Sequence, residues 1–231
     1  MLPIKDTIRS RSFPLVTWVI IAINAVVFFL QMGLSQSQQE WVLQTFALVP
    51  SHIQLTDPLT WLPLLTHMFL HGGWLHILSN MWILFIFGDN VEDRMGSLRY
   101  LVFYLLGGIA AGLIQAITMS NSTVPVLGAS GAIAAVMGAY FFYYPRARVI
   151  TITPIFFIPW YVEIPAVIYL GLWFVSQFYS GLFSIFISNI TVGGVAWWAH
   201  IGGFLFGLVM ARPFCFRKPP PSWHTDEYYP W

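Results

Sequence analysis

The sequence predicts an all-α, polytopic membrane protein with six membrane-spanning helices and a half-submerged first loop. Composition is the first reason, because 58% of the 231 residues are hydrophobic, 8% are charged and the mean hydropathy is +0.72. A soluble domain carries about 25% charged residues, so this chain fits hydrocarbon better than water. The other two reasons are the apolar runs along the chain and the placement of its basic residues.

The apolar runs set the order of the predicted elements. A bilayer core of about 30 Å needs roughly 20 helical residues. Six runs reach or approach that length, at about residues 15–33, 73–88, 100–119, 129–144, 161–180 and 195–212. We therefore divide the chain into an N-terminal segment (1–14), a six-helix domain (15–212) and a C-terminal tail (213–231).

Two connecting segments differ from simple loops. Residues 34–71 mix aromatic and aliphatic side chains with polar ones, which is typical of amphipathic pieces lying in the membrane interface. This segment is the predicted half-submerged first loop. The stretch 149–160 is apolar and interrupted by prolines, so it predicts no regular element.

Charge predicts the orientation of the six spans. All ten Lys and Arg residues fall at the N-terminus, between runs two and three, between runs four and five, or at the C-terminus. Basic residues favour the cytoplasmic side, so we expect a multi-pass protein of the plasma membrane with both termini cytoplasmic. The formal net charge of +1 indicates no nucleic-acid partner, and the single Cys215 excludes an internal disulfide.

This orientation places four polar residues at a similar depth. Ser130 and His200 lie 15 and 12 residues before the inner ends of the fourth and sixth runs, or roughly 22 and 18 Å away. His76 and Asn80 lie four residues apart on one face of the second run, roughly 20 and 14 Å from its inner end. We expect these side chains to share a water-filled pocket that opens to the extracytoplasmic side.

Small residues predict that the fourth and sixth runs pack closely enough for Ser130 to meet His200. They recur every three or four residues, at Gly131, Ala134, Ala135 and Gly138 and at Ala199, Gly203 and Gly207. Such spacing lets two backbones touch in lipid, with Gly203 against Gly131 and Ala134. Gly128 and Gly131 let the chain turn tightly around Ser130, where the helix start supplies free N–H groups.

A histidine beside this serine could take its proton, which would give a two-residue Ser–His nucleophile. Each residue also has a plainer explanation: Ser130 could be a helix N-cap, Asn80 could bond between helices, and His200 could bond a backbone carbonyl. The catalytic interpretation rests on the coincidence of four such residues, on three runs, at one depth.

Other classes of protein stay open. A zinc-dependent membrane hydrolase could use His67, His71 and His76, although "HMFLH" lacks the glutamate of the His-Glu-x-x-His pattern. A transporter or channel could use the same polar layer, although the fourth and sixth runs hold no acid or lysine. A pseudoprotease that only binds membrane segments would lack Ser130 or His200, and both are present.

Four motifs, in order, carry a resemblance to a known family. They are "HGGWLHILSN" and "VEDRMG" in and after the second run, "GASG" at the start of the fourth, and "AHIGGFLFG" in the sixth. In this combination the chain resembles the rhomboid intramembrane serine proteases. The resemblance implies a six-helix bundle with a half-submerged first loop, and it covers most of residues 67–207.

The resemblance also implies a role for each motif residue. Ser130 would be the nucleophile and His200 the general base, while His76 and Asn80 would stabilise the oxyanion. The remaining motif positions would be structural: Gly128, Gly131, Gly203, Gly207, Glu92 and Arg94. Some members stack a tyrosine on the base, but that position is Ala134 here, which leaves open what orients His200.

The resemblance further implies that the chain uses neither a metal nor another cofactor. Its partners would be the lipid bilayer and transmembrane protein substrates, cut near their outer ends. Substrates would enter from the lipid beside the second and fifth runs.

Overall fold

A computed structural model describes residues 1–155, 158–186 and 195–216. Within those ranges the α-helices are α1 (Leu15–Met32), α2 (Gln36–Phe46), α3 (Pro63–Thr66), α4 (Trp74–Met95), α5 (Ser97–Thr118), α6 (Ser130–Tyr143), α7 (Ala166–Phe186) and α8 (Trp197–Phe214). The strands are β1 (Leu2–Asp6), β2 (Arg148–Ile155) and β3 (Ile158–Pro165). Short 3₁₀ helices at Pro50–His52, Pro58–Trp61 and His67–Phe69 lie in the first loop. Most of the predicted tail, residues 217–231, lies outside the described residues.

The six longest apolar helices overlap the six runs, which makes the chain a mostly helical, polytopic membrane protein. The predicted start of the fifth run is wrong, because residues 161–165 belong to β3 and the helix begins at Ala166. Leu15–Met32, Ser97–Thr118 and Ala166–Ile185 are long and apolar enough to span a bilayer. A fourth candidate is α4 together with Pro58–Phe69, which is bent from it by 81°. Since α6 has 14 residues, the count of six spans and the half-submerged loop stay predictions.

The all-α prediction misses a three-stranded antiparallel sheet with the strand order β1-β2-β3. The described part of the stretch expected to be irregular lies in β2 and β3, which pair antiparallel from Arg148↔Pro165 to Ile155↔Ile158. Five consecutive β-branched residues in "RVITITPI" favour a strand. Its prolines do not prevent this, because Pro154 and Pro159 pair with each other beside the last pair of the ladder, Ile155↔Ile158, where few ladder bonds are lost.

Helix α6 forms the centre of the bundle. Eleven of its 14 residues are buried, and it contacts α4, α5, α7 and α8. A helix that is apolar on every side is expected inside a bundle rather than at its surface. The first residue of this central helix is Ser130.

Glu92 and Arg94 each join different parts of the bundle. The Glu92 carboxylate accepts hydrogen bonds from the backbone N–H groups of Val16 and Thr17, at 3.0 and 2.8 Å, and from the Ser97 hydroxyl at 2.7 Å. It therefore caps the start of α1, whose first N–H groups have no helical partner. Arg94 stacks on the ring of Tyr143, 5.0 Å from its centroid.

The first loop is joined to the connection that precedes α6. Leu48 and Val126 exchange two backbone hydrogen bonds, of 2.9 and 2.8 Å. Two residues further along, the Gly128 N–H donates to the carbonyl of His67 at 2.9 Å. These bonds fix the chain immediately before Ser130.

Candidate active site

A cavity of about 350 Å³ opens between α4, α6, α7 and α8. All four residues that the sequence places at a similar depth line it: His76, Asn80, Ser130 and His200. Apolar side chains continue the lining below them, including Ile83, Ile133, Met137, Tyr169 and Trp173. The predicted convergence is therefore confirmed, while the chemical roles of these residues stay predictions.

A left-handed glycine shapes the chain just before Ser130. Gly128 has a φ of +118°, a backbone conformation that other residues rarely adopt. A Cβ atom at this position would also lie 2.5 Å from Nε2 of His76. The turn thus lets the histidine ring approach the backbone beside Ser130. At the start of α6 the Ser130 N–H has no helical partner, which is the usual state of a first-turn donor.

Helices α6 and α8 meet along the predicted glycine seam. A Cβ added to Gly203 would overlap the carbonyl oxygen of Gly131 and would lie 3.2 Å from the Cβ of Ala134. At Gly207 an added Cβ would overlap the carbonyl of Ala135 in the same way. Since only hydrogen fits at these positions, the small-residue spacing correctly predicts which faces touch.

This close packing brings the serine to the histidine. Nε2 of His200 lies 2.8 Å from Oγ of Ser130. This is a hydrogen-bond distance, and it is short enough for the imidazole to accept the hydroxyl proton. Both residues lie in the first turn or so of their helices, because Ser130 is the first residue of α6 and His200 is the fourth residue of α8. The arrangement can move a proton from the hydroxyl to the imidazole.

The sequence interpretation misses a side chain on the far side of the imidazole. Nδ1 of His200 lies 2.8 Å from Oε1 of Gln177 on α7, whose side chain is only 6% exposed. The signal was available, because Gln177 is a lone amide in the apolar run "YLGLWFVSQFYSG". Polar side chains in spans commonly bond between helices.

Two indole rings flank the same histidine. The ring centroid of Trp173 lies 5.8 Å from that of His200, with 35° between the planes. Trp197 meets it edge-on, at 6.2 Å and 89°. These two rings pack beside the imidazole, whereas Ala134 has no ring with which to stack on it.

A second amide missed by the sequence interpretation fixes the start of α8. Oε1 of Gln115 on α5 accepts a hydrogen bond of 3.1 Å from the Ala199 N–H, and both residues are buried. The first N–H groups of a helix lack partners within it, so this bond positions the turn that carries His200.

Asn80 presents an unused donor to the cavity. Its Nδ2 atom is buried and has no hydrogen-bond partner. An unpaired buried amide is costly, and such groups persist at sites where a ligand or a reacting group completes the bond. His76 lies one helical turn away on the same face of α4.

His67 and His71, the other two histidines considered as zinc ligands, are separate from the serine. Nδ1 of His67 lies 2.8 Å from the carbonyl of Pro63, four residues earlier. The ring of His71 packs edge-on against His76, with centroids 5.1 Å apart. In the part of the chain that the structure describes, no three His, Cys, Asp or Glu side chains converge as metal ligands.

Comparison with known proteins gives a consistent set of relatives. The family model described as Rhomboid domain matches residues 58–217. The chain is 31% identical over 163 residues to RHOMBOID-like protein 6, mitochondrial, of Arabidopsis thaliana, covering 69% of this chain and 45% of that protein. It is 28% identical over 215 residues to Rhomboid protease GlpG of Salmonella typhi, covering 90% and 66% respectively.

A similar identity extends to an animal protein. The chain is 28% identical over 198 residues to Presenilin-associated rhomboid-like protein, mitochondrial, of Mus musculus, covering 82% of this chain and 46% of that protein. The chain spans about half to two-thirds of the length of these three relatives.

Proposed function

The chain belongs to the rhomboid family, and on that premise we propose that it is an intramembrane serine endopeptidase that cuts transmembrane segments near their outer ends. The observation that carries the proposal is the 2.8 Å contact between Ser130 Oγ and His200 Nε2. It lies in a cavity between helices of an integral membrane protein. Among the described residues, no contact of this kind supports the zinc hydrolase or the transporter.

In the first chemical step, Oγ of Ser130 attacks the carbonyl carbon of the substrate, and its proton passes to Nε2 of His200. The tetrahedral intermediate then collapses. The C–N bond breaks, and the imidazolium returns the proton to the leaving amine. Water next attacks the acyl-serine and gives a proton to His200, which returns it to Ser130 as the new carboxyl end leaves.

The developing oxyanion would be held by donors already in the cavity. The Nδ2 group of Asn80 is buried without a partner, and Ser130 is the first residue of α6, so its N–H has no partner within the helix. His76 lines the same cavity from one turn away on α4. Preorganised donors in a site shielded from bulk solvent stabilise such a charge far better than water does.

A substrate would reach the serine between α4 and α7. Both helices line the cavity, and their outward faces carry exposed aromatic side chains, with Trp82 39%, Phe85 46% and Phe178 42% exposed. These faces suit contact with lipid and with a transmembrane segment. The segment must unwind locally, because a helix hides its peptide bonds in its own hydrogen bonds.

We also propose cytoplasmic termini, an outward-opening cavity and residence in the plasma membrane. The placement of all ten basic residues supports the orientation. After Cys215→Ser, an impermeant thiol reagent on intact cells should label cysteines at Ser35 and Ser120 and spare one at Arg146. The reverse labelling would overturn the orientation. Imaging of a tagged chain tests the membrane itself, since two of the relatives are named mitochondrial.

The decisive test of the activity uses a reporter transmembrane substrate in proteoliposomes. Ser130→Ala and His200→Ala should each abolish cleavage, while the wild type should stay active after treatment with a chelator. Loss of wild-type cleavage on chelation, restored by zinc, would favour the zinc hydrolase. Cleavage that survives Ser130→Ala would refute the serine mechanism.

A further inference from the structure

We propose that Gln177 is a positioning residue that holds His200 in the tautomer required for catalysis. The inference rests on the proposed function and deepens it, since it concerns how the base is kept ready. Gln177 lies on α7 and His200 on α8, so their contact also joins two helices at the serine. The side chain of Gln177 does not line the cavity.

The direction of each hydrogen bond follows from a series of hydrogen bonds that runs from His200 through Gln177 and Ser176 to a backbone carbonyl. Oγ of Ser176 lies 2.6 Å from the carbonyl oxygen of Trp173. A carbonyl only accepts, so the single proton of the Ser176 hydroxyl is used there. The hydroxyl can then only accept from Gln177, whose Nε2 lies 3.0 Å from it. This contact turns the Gln177 amide so that its NH₂ faces Ser176 and its oxygen faces His200.

The amide orientation in turn fixes the proton on the imidazole. Oε1 of Gln177 is 2.8 Å from Nδ1 of His200, and an amide oxygen only accepts, so Nδ1 carries the proton. Nε2 of the neutral ring then has a free lone pair, aimed at the Ser130 hydroxyl 2.8 Å away. The opposite tautomer would put a proton on Nε2 and leave the ring unable to act as a base.

No other side chain performs this task from the helices that pack on α8. Helices α6 and α7 contain no acidic or basic residue, and Arg99 of α5 stacks on Phe216 at the other end of the helix. The titratable groups that share the cavity with His200 are His76 and Tyr169. Trp173 and Trp197 pack on the imidazole, but indole offers only an N–H donor and no acceptor for Nδ1–H.

A test that needs no identified substrate is the rate at which a fluorophosphonate probe labels Ser130 in the purified full chain. The rate is measured from about pH 5 to pH 9, because the base must be neutral to accept the proton. Gln177→Leu leaves the buried Nδ1–H unpaired, and we expect labelling to slow by about 10- to 100-fold. Cleavage of the reporter should show this loss in kcat with little change in KM.

The pH profile separates positioning from simple structural support. A hydrogen bond to the charged imidazolium is stronger than one to the neutral ring, so losing it disfavours protonation. The acid limb of Gln177→Leu should therefore move to lower pH, by about half a unit to one unit. Gln177→Glu keeps an acceptor oxygen but adds negative charge, so it should retain more activity than Gln177→Leu and move the acid limb to higher pH.

A matched pair of serines on α7 supplies the control. Ser176→Ala leaves Gln177 in place but releases its amide to turn over, so labelling should slow by about 3- to 10-fold. Ser184→Ala removes the same type of bond, a 2.6 Å contact to the carbonyl of Gly181 three residues earlier, with no glutamine attached. It should label at the wild-type rate.

The outcomes are distinguishable from failure of the proposed function. If the wild type labels at Ser130 but the acid limbs of Gln177→Leu and Gln177→Glu superimpose on its own, Gln177 does not position the base and the inference is overturned. Equal effects of Ser176→Ala and Ser184→Ala on the labelling rate would show that Ser176 does not orient the Gln177 amide. If the wild type itself neither labels nor cleaves, the proposed function fails. A melting temperature for each variant separates these effects from unfolding.

Discussion

Gly203→Ala tests whether the contact between two backbones creates the active site. The added Cβ would overlap the carbonyl oxygen of Gly131 and lie 3.1 Å from its carbon, whereas ordinary contacts begin at 3.4 Å. Neither backbone can yield as a flexible side chain could, so α8 must move outward by about 1 Å. The 2.8 Å contact between Ser130 and His200 would then open to about 3.8 Å, beyond hydrogen-bond reach.

A displacement of about 1 Å can cost on the order of 10²-fold in rate when it spoils a nucleophile–base contact. We therefore expect Gly203→Ala to reduce fluorophosphonate labelling and reporter cleavage by about that factor. The protein should still insert at normal abundance, because alanine is at home in an apolar helix. The assay compares labelling rates at equal amounts of folded, purified protein.

The matched control is Gly171→Ala, the same substitution on α7. A Cβ there meets nothing within 4 Å, so activity should stay within about twofold of the wild type. If Gly203→Ala keeps near-wild-type activity, the glycine seam does not set the distance between Ser130 and His200. That result would refute the packing argument even if both residues are catalytic.

The other predictions concern the oxyanion and the N-terminal strand. Asn80→Ala should lower kcat for the reporter by about 10²-fold, with a smaller decrease for His76→Ala. A rise in KM alone would make them groups that position the substrate. Burial raises the pKa of the Asp6 carboxyl well above its usual range, and the nearby Asp89 adds to the rise, while the hydrogen bond from Tyr140 opposes it. Ionisation therefore opposes folding, and the wild type should lose thermal stability as the pH rises from roughly 4 through the raised pKa. Asp6→Asn should show a smaller decline, and the same dependence of melting temperature on pH in the two proteins would contradict this reasoning.

The sequence predicts the convergence of the polar residues because run length and rise per residue convert sequence position into depth. Ser130 and His200 are 70 residues apart, yet each can be counted from the inner end of its own run. The glycine spacing then shows which faces must meet, as the overlap at Gly203 confirms. Both arguments work within single helices.

The sequence analysis misses features that depend on two distant segments meeting. Strand β1 pairs with β2 through Leu2↔Ile152, and no local pattern at the N-terminus indicates that partner. Gln177 likewise appears as one amide in an apolar run, and its meaning requires the 2.8 Å distance across to α8. The apolar composition predicts spanning helices, and it carries no signal for the short sheet beside them.

The most direct test of the central claim is to map the residue that a fluorophosphonate modifies in the wild-type protein. Intact chain, inserted in proteoliposomes, would be labelled, digested and analysed by mass spectrometry, with His200→Ala treated in parallel. The account predicts a single adduct on Ser130 that forms in the wild type and is largely absent from His200→Ala. An adduct on another serine, or equal labelling of Ser130 without the histidine, would contradict it.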